Sequence, residues 1–504
     1  MEFMLSHLLS LILFMPTFAA AILFFIPDKK PGLFRWGAFL ASLIPFVLSI
    51  VAWIKFDPSM EGFQLQENYI WYQALNSQFH LGIDGISLTM IVLTTLLTPL
   101  AILASYSITE KIKAYMILFL LLETGMLGVF LSLDLLIFFV FWEIGLVPMY
   151  FLINQWGGKN RNYASLKFIL YTIGGSLGLL LAIQMIGVVA GTYDIPVLFE
   201  RWPDLLTGGT LFGLPTETVK SIAFWAFVVA FAIKVPVWPF HTWLPDAHTE
   251  APTAGSMVLA GVLLKLGAYG FLRLVLPLFP LESHNYAGAL ALLATLAIIF
   301  GALSAFGQSD FKRLVAYSSI NHMGFVVLGI AAAAWAAGTE NAIFSINGAV
   351  LQMVTHGLSS AGMFFMVGVI YERTHTRDLN EFGGLYTILP VYGSILMLTS
   401  MASLGLPGLA GFVSEFLVVR GAWPVFMLAT AISMIGLFFT GAYVLKGIKL
   451  VLHGPLNERW SGKISEMNLR EIVVMTPLLF FMILIGVWPG WILDIINRAV
   501  MMWF

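Results

Sequence analysis

The stretch KVPVWPFHTWLPDAHTEAPTAGSMVLAGVLLK, from Lys234 to Lys265, sets one lysine inside each of two neighbouring apolar segments. An ammonium group at bilayer depth costs about 2.5–3.5 kcal/mol on insertion scales, so such a residue faces a partner, a cavity or an ion path. The alternative is a lysine that snorkels, its stem on apolar neighbours and its head among the lipid headgroups. Depth separates the two. Lys265 lies about 13 residues past Pro252, or ~20 Å along a helix, and Lys234 lies about 10 residues, or ~15 Å, before the loop bracketed by Pro245 and Pro252. The hydrocarbon core is about 30 Å thick. Both amines therefore fall near its midplane, where they suit proton transfer better than anchoring.

Four more titratable residues share that depth. Glu143, in LDLLIFFVFWEIGLVPMYFL, is a carboxylate that a nearby lysine could hold ionised, and such a pair can be switched. A static pair that only fixes helix packing is the competing reading. His322, in AYSSINHMGFVVLGI, and His356, in LQMVTHGLSSAGMFF, sit at matching depths on consecutive helices. Histidine titrates closest to neutral pH, which suits a proton relay, although a single buried histidine more often completes packing. Glu415, in SLGLPGLAGFVSEFLVV, follows a cluster of Gly405, Pro407, Gly408 and Gly411 that should interrupt its helix. Glu123 and Lys167, near the ends of the fourth and sixth helices, form a second tier, with Arg273 in the eighth. Interfacial anchoring is the expected role for Lys167 and Arg273. His241, Asp246, His248 and Glu250 fit no zinc spacing, and helix capping accounts for much of that cluster.

The elements that must position these residues follow from composition. The chain is 59% hydrophobic and 10% charged over 504 residues. It is read as an all-α polytopic membrane protein with about fourteen transmembrane helices between residues 4 and 497. The first segment has no basic residues before it and Lys29-Lys30 after it, the pattern of a retained helix rather than a cleaved signal peptide. Basic residues occupy every other connection: Lys29, Lys30 and Arg35; Lys111 and Lys113; Lys159 and Arg161; Lys312 and Arg313; Arg373 and Arg377; Lys446 to Arg470. By the positive-inside rule these are cytoplasmic, and both termini lie outside.

Lys234 is followed by Pro236 and Pro239, so the seventh helix, like the twelfth, should be broken. Five helices apart, the two breaks must cross the membrane in opposite directions. The expected organisation is helices 1–3 over 1–110, a five-helix repeat over 111–280, a second, inverted repeat over 281–452, and a cytoplasmic connection with the last helix over 453–504. A net charge of −2 and the lack of basic runs give no reason to expect nucleic acid. The absence of cysteine excludes disulfides, thiolate-bound zinc and cysteine-ligated iron–sulfur clusters. No phosphate-binding or dinucleotide fingerprint occurs.

The motifs FVFWEIGLVPMY at 139–150, KVPVWPFHTWLPDAHTEAPTAGS at 234–256, GVLLKLGAYG at 261–270, FKRLVAYSSINHMGF at 311–325 and GLPGLAGFVSEF at 405–416 resemble the antiporter-like subunits of respiratory complex I, the proton-pumping NADH:quinone oxidoreductase. The wording PDAHTEAPTAGS, and an acid at 415 where sister subunits usually carry lysine, are similar to the M branch, and the long lateral helix of the distal L branch is not expected. The resemblance implies that Glu143 pairs with Lys234 and modulates its proton affinity. Lys265 would pass the proton on by way of His322 and bound water, His356 would continue the polar axis, and Glu415 would lead to release outside. It implies no cofactor in this chain, with flavin, iron–sulfur clusters and quinone in partner subunits. The partners would be other membrane subunits, protons and the lipid of an energy-transducing, bacterial plasma membrane. Related readings are a subunit of a multi-subunit sodium/proton antiporter and the equivalent subunit of a photosynthetic ferredoxin:plastoquinone oxidoreductase. Outside that family stand a haem protein with His322 and His356 as axial ligands, and a passive scaffold.

Overall fold

Proline, glycine and short acidic caps divide the apolar segments. Pro31, Pro280 and Pro390 each open a helix, where a missing N–H costs nothing. Asp84, Asp134 and Asp310 cap three others by accepting from first-turn amides. The computed structural model describes residues 6–28 and 30–503, and side chains up to Met501. Lys29 and residues 4 and 5 of the first apolar segment lie outside the described residues.

Among the described residues, thirteen helices are long and apolar enough to cross a membrane. They are α1 (Leu8–Phe25), α2 (Pro31–Lys55), α3 (Gly85–Ser107), α4 (Ile112–Leu131), α5 (Leu135–Trp156), α6 (Arg161–Ala190), α7 (Thr216–Lys234), α9 (Thr253–Leu278), α10 (Pro280–Phe306), α11 (Phe311–Trp335), α12 (Glu340–Thr374), α15 (Met427–Leu452) and α16 (Leu469–Val487). The short helix α8 (Trp243–Glu250) follows α7. The segment expected over 388–419 is present as two pieces, α13 (Pro390–Leu404) and α14 (Ala410–Ala422), parted by Gly405 and Gly408 at φ +82° and +92°. A final helix, α17 (Gly490–Trp503), closes the chain.

Burial sorts the helices. In their most apolar windows α9 and α12 are wholly buried and α11 is 94% buried, whereas α1, α2, α15 and α16 are 33–39% buried and show their remaining faces to the outside. The three central helices carry Lys265, His322 and His356, so these titratable residues sit where lipid cannot reach. Glycine allows that packing. A Cβ on Gly357 of α12 would stand 2.9 Å from the Gly261 carbonyl of α9 and 2.7 Å from Leu93 of α3.

Three features differ from expectation. The loop read between Pro245 and Pro252 is mostly the helix α8, so the irregular backbone lies earlier, from Val235 to Thr242, directly beyond Lys234. The acidic connection at 55–82, read from the sequence only as a loop between spans, folds into an antiparallel hairpin, β1 (Gln64–Tyr72) with β2 (Ser77–Ile83), in the register Gln64↔Ile83 and Tyr72↔Ser77. Helix α9 contains two π turns, Leu259–Leu263 and Phe271–Val275, on either side of Lys265.

The basic connections meet at one end of the bundle. Lys113 donates to the Ile26 carbonyl (2.8 Å), the Trp156 indole to Glu110 (2.8 Å), Arg377 to Thr249 (2.5 Å), and Arg373 pairs with Glu471 (2.7 Å). The hairpin marks the other end. There Glu67 accepts from the Leu9 amide (2.7 Å) at the start of α1, and Gly85 packs on Ile495 of α17.

Candidate functional site

Helix α7 ends on Lys234 because Pro236 supplies no amide and the backbone leaves the helical path. The lysine is buried, its Nζ 4.9 Å from the centroid of the Trp142 ring. The Trp142 indole is fixed in turn by a 3.0 Å bond to Ser176 of α6. Glu143 is the next residue on α5, beside the ring that Lys234 stands over. The two form no ion pair within 4.0 Å, and Glu143 Oε1 is buried without a hydrogen-bond partner. Lys234 reaches α9 through Gly267, where an added Cβ would lie 3.0 Å from the Cβ of Lys234. The two lysines thus flank one helix crossing.

From Lys265 the polar contacts are direct. Lys265 is wholly buried, and its Nζ donates to the Ala260 carbonyl at 2.5 Å, within the first π turn of α9. A π turn leaves carbonyls without the usual helical partner, so one is available to the ammonium. Nζ also lies 2.8 Å from His356 Nδ1. The His356 and His322 rings are 5.6 Å apart at 39°. His322 Nδ1 lies 2.8 Å from Glu415 Oε1, on the first turns of α14 beyond the break. The spatial order is therefore Lys265, His356, His322, Glu415. The expected order had His322 beside Lys265. The Gly261–Gly357 crossing brings α12, rather than α11, against Lys265.

Several residues of this axis went unnoticed in the sequence. Gln352 donates to Glu415 Oε1 (3.2 Å), and its own carbonyl accepts from Ser414. Thr355 and Ser414 are bonded at 2.9 Å. Ser403 and Tyr443 each approach His322 Nε2 at 3.3 Å. Gln352 was findable: it stands four residues before His356 on the same helix face. Both ring nitrogens of His322 already have protein partners, which argues against an axial-ligand role.

The second-tier residues separate. Glu123 is fully buried on α4, with neither carboxylate oxygen bonded to protein. Arg273 is no interfacial anchor, because it is 3% exposed, with Nη2 2.5 Å from Asp84 Oδ2 and Nε donating to Tyr269 (3.1 Å). Its acid comes from the cap of α3, far away in sequence. Lys167 pairs with Asp246 at 2.7 Å, and Arg313 reaches the same carboxylate at 3.4 Å. The 241–250 cluster does not cap α9, whose N-cap is Pro252 without a side-chain bond. Instead Glu250 accepts from the Asn160 amide (2.9 Å), and His248 stacks on Phe364 at 4.3 Å.

A bundle of helices with two of them interrupted and a buried line of lysine, histidine and glutamate defines a class: polytopic membrane proteins that keep titratable groups at their centre. A family model described as NADH:quinone oxidoreductase/Mrp antiporter, TM, matches residues 132–440. The chain is 41% identical to NADH-quinone oxidoreductase subunit M of Rhodobacter capsulatus over 98% of its own length and 96% of that protein's. It is 39% identical to NADH-ubiquinone oxidoreductase chain 4 of Arabidopsis thaliana, with 98% and 96% covered. In structure it is similar to a chain of respiratory complex I from Thermus thermophilus with bound NADH, at TM-score 0.85 and 26% identity, over 98% of this chain and all of that one. A chain of the membrane-bound sulfane sulfur reductase, an archaeal respiratory membrane complex, is similar at TM-score 0.82 and 25% identity, over 96% and 76%. The chain belongs to the NADH-quinone oxidoreductase subunit M family.

Proposed function

We propose that this chain is a proton-translocating, antiporter-like membrane subunit of an NADH:quinone oxidoreductase, and that the redox chemistry belongs to partner subunits. The observation that carries the reading is the line of neighbouring side chains from Lys265 through His356 and His322 to Glu415, hydrogen-bonded at both ends and bridged in the middle by two rings 5.6 Å apart, on central helices that are buried. Glu143 and Lys234 supply the entry, with Glu123 and Lys167 in supporting positions. When the Glu143 carboxylate is close, it stabilises the buried Lys234 ammonium. When it withdraws, the ammonium is left with a ring face in a dry site and its proton is released. Moving one charge against 100 mV costs about 2.3 kcal/mol, a sum that one such rearrangement can supply.

The inverted repeat over 111–280 and 281–452 belongs to the same proposal, and two matching clamps support it. At the hairpin end, the start of α5 is held by Leu135 N to Tyr193 O and Ile195 N to Leu133 O, both 2.8 Å. At the basic end, the start of α11 is held by Phe311 N to Arg377 O and Leu379 N to Ser309 O, also 2.8 Å. Each clamp joins the first residues of a helix to the chain just beyond the following one, and the two lie at opposite ends of the bundle. In this reading the basic end faces the cytoplasm of an energy-transducing membrane, and both chain ends face outside.

The test is NADH-driven proton uptake by inverted vesicles carrying Glu143→Gln, with assembly checked on the same sample. Joint loss of pumping and quinone reductase activity in an assembled variant is the expected result. Normal pumping would refute the Glu143–Lys234 entry, and transport that requires sodium would favour a sodium/proton antiporter.

A further inference from the structure

We propose that the cavity at the basic end, between α1, α2, α4 and α5, is a binding site for one anionic phospholipid. The cavity measures about 850 Å³ and opens to the protein surface. Its polar rim is formed by Lys111 and Lys113, where α4 begins. Lys111 is exposed, with one bond to Gln155 at 3.1 Å. Lys113 gives one donor to the Ile26 carbonyl (2.8 Å) and faces Asp28 at 3.5 Å, a carboxylate whose side chain is 79% exposed. An ammonium has three donors, so both lysines keep capacity for an oxyanion.

Below the rim the wall is apolar. Ile117 and Leu118 lie four to seven residues further along α4, ~6–10 Å deeper at helical rise. Phe24 and Phe151 are exposed beside them, and Lys113 stands over the rings of Phe24 and Phe34 at 5.6 and 5.9 Å. Cations at the helix ends with aromatic and aliphatic surface beneath reproduce the polarity order of a phospholipid, with phosphate above and acyl chains below. A free phosphate would gain nothing from the walls, and a zwitterionic lipid would gain little net attraction from two lysines. Basic pockets between helices on this side of a membrane recognise acidic headgroups. The site also contains a competitor: Asp28, already largely in water, faces Lys113 at 3.5 Å and would oppose an incoming phosphate.

The protein is purified in its assembled state, exchanged into nanodiscs of dioleoyl-phosphatidylglycerol and dioleoyl-phosphatidylethanolamine, and its tightly retained lipid quantified by mass spectrometry. Each of Lys111→Gln and Lys113→Gln should weaken selective phosphatidylglycerol retention about fivefold, the ratio equivalent to about 1 kcal/mol per basic residue. Asp28→Asn should strengthen it, and this variant keeps the test open if the lysine variants assemble poorly. Unchanged retention in assembled lysine variants, equal retention of phosphatidylethanolamine, displacement by inorganic phosphate at equal concentration, or a polypeptide cross-linked in the cavity would each overturn the proposal.

Discussion

His356→Leu isolates the order of the central contacts. In the folded chain Lys265 has two polar partners, the Ala260 carbonyl and His356 Nδ1, and it is wholly shielded from solvent. Leucine fills a similar space but removes one partner of a buried ammonium. A hydrogen bond to a charged group contributes about 1.5–3 kcal/mol. At 1.36 kcal/mol per tenfold change in rate, the loss corresponds to roughly 10- to 150-fold slower proton transfer. The assay is dye-monitored proton uptake in inverted vesicles, normalised to assembled complex. Lys265→Met should show a comparable defect, and the double variant should be little worse than either single one, because residues that act as a unit are not additive. Full pumping by assembled His356→Leu, with a severe defect in His322→Leu alone, would show that Lys265 hands on through His322 and that the direct contact is incidental.

Other expectations concern the frame that holds this line. Arg273→Met should destabilise the protein by about 3–5 kcal/mol by leaving Asp84 as an unpaired buried charge, read as a lower melting temperature, and Asp84→Leu with Arg273→Met should recover much of it. Gly357→Val should push α9 from α12, costing about 1–3 kcal/mol in stability and losing pumping together, measured on one purified sample. Arg373→Met should free α12 from Glu471 and the Ser465 and Glu466 carbonyls, and so expose the 453–468 connection to limited proteolysis.

Much of the fold was legible because membrane insertion leaves few choices. A lysine flanked by apolar residues on both sides has a depth set by counting, and Pro236 with Pro239, and Pro407 among its glycines, mark breaks that the single prolines inside α1, α2, α3 and α16 do not make. What counting cannot supply is azimuth, the direction in which a residue at known depth points. His322 and His356 lie at matching depths, and only the close passage at Gly261 and Gly357 decides which meets Lys265. The Arg273–Asp84 pair was unreadable for the same reason, since its members belong to helices distant in the chain. The hairpin was missed because attention to spans treats a polar connection as a loop, although QLQENYIWY has strand-forming residues at its end. The π turns left no pattern in the residues, yet one of them supplies the carbonyl that Lys265 uses.

The break between α13 and α14 is closed from outside by Gly486 of α16, which packs so tightly on Gly408 and Leu409 that no Cβ fits. Asn347 of α12 is likewise held by Asn497 of α17 at 2.7 Å. Both helices follow α13 and α14 in the chain. A ribosome that has not reached residue 486 therefore carries a chain with Lys234 and Lys265 already in place and the α13–α14 break still uncovered. The cover of the α13–α14 break thus comes from a helix that follows it in the chain, so a nascent product that stalls before Gly486 would leave that break without its lid.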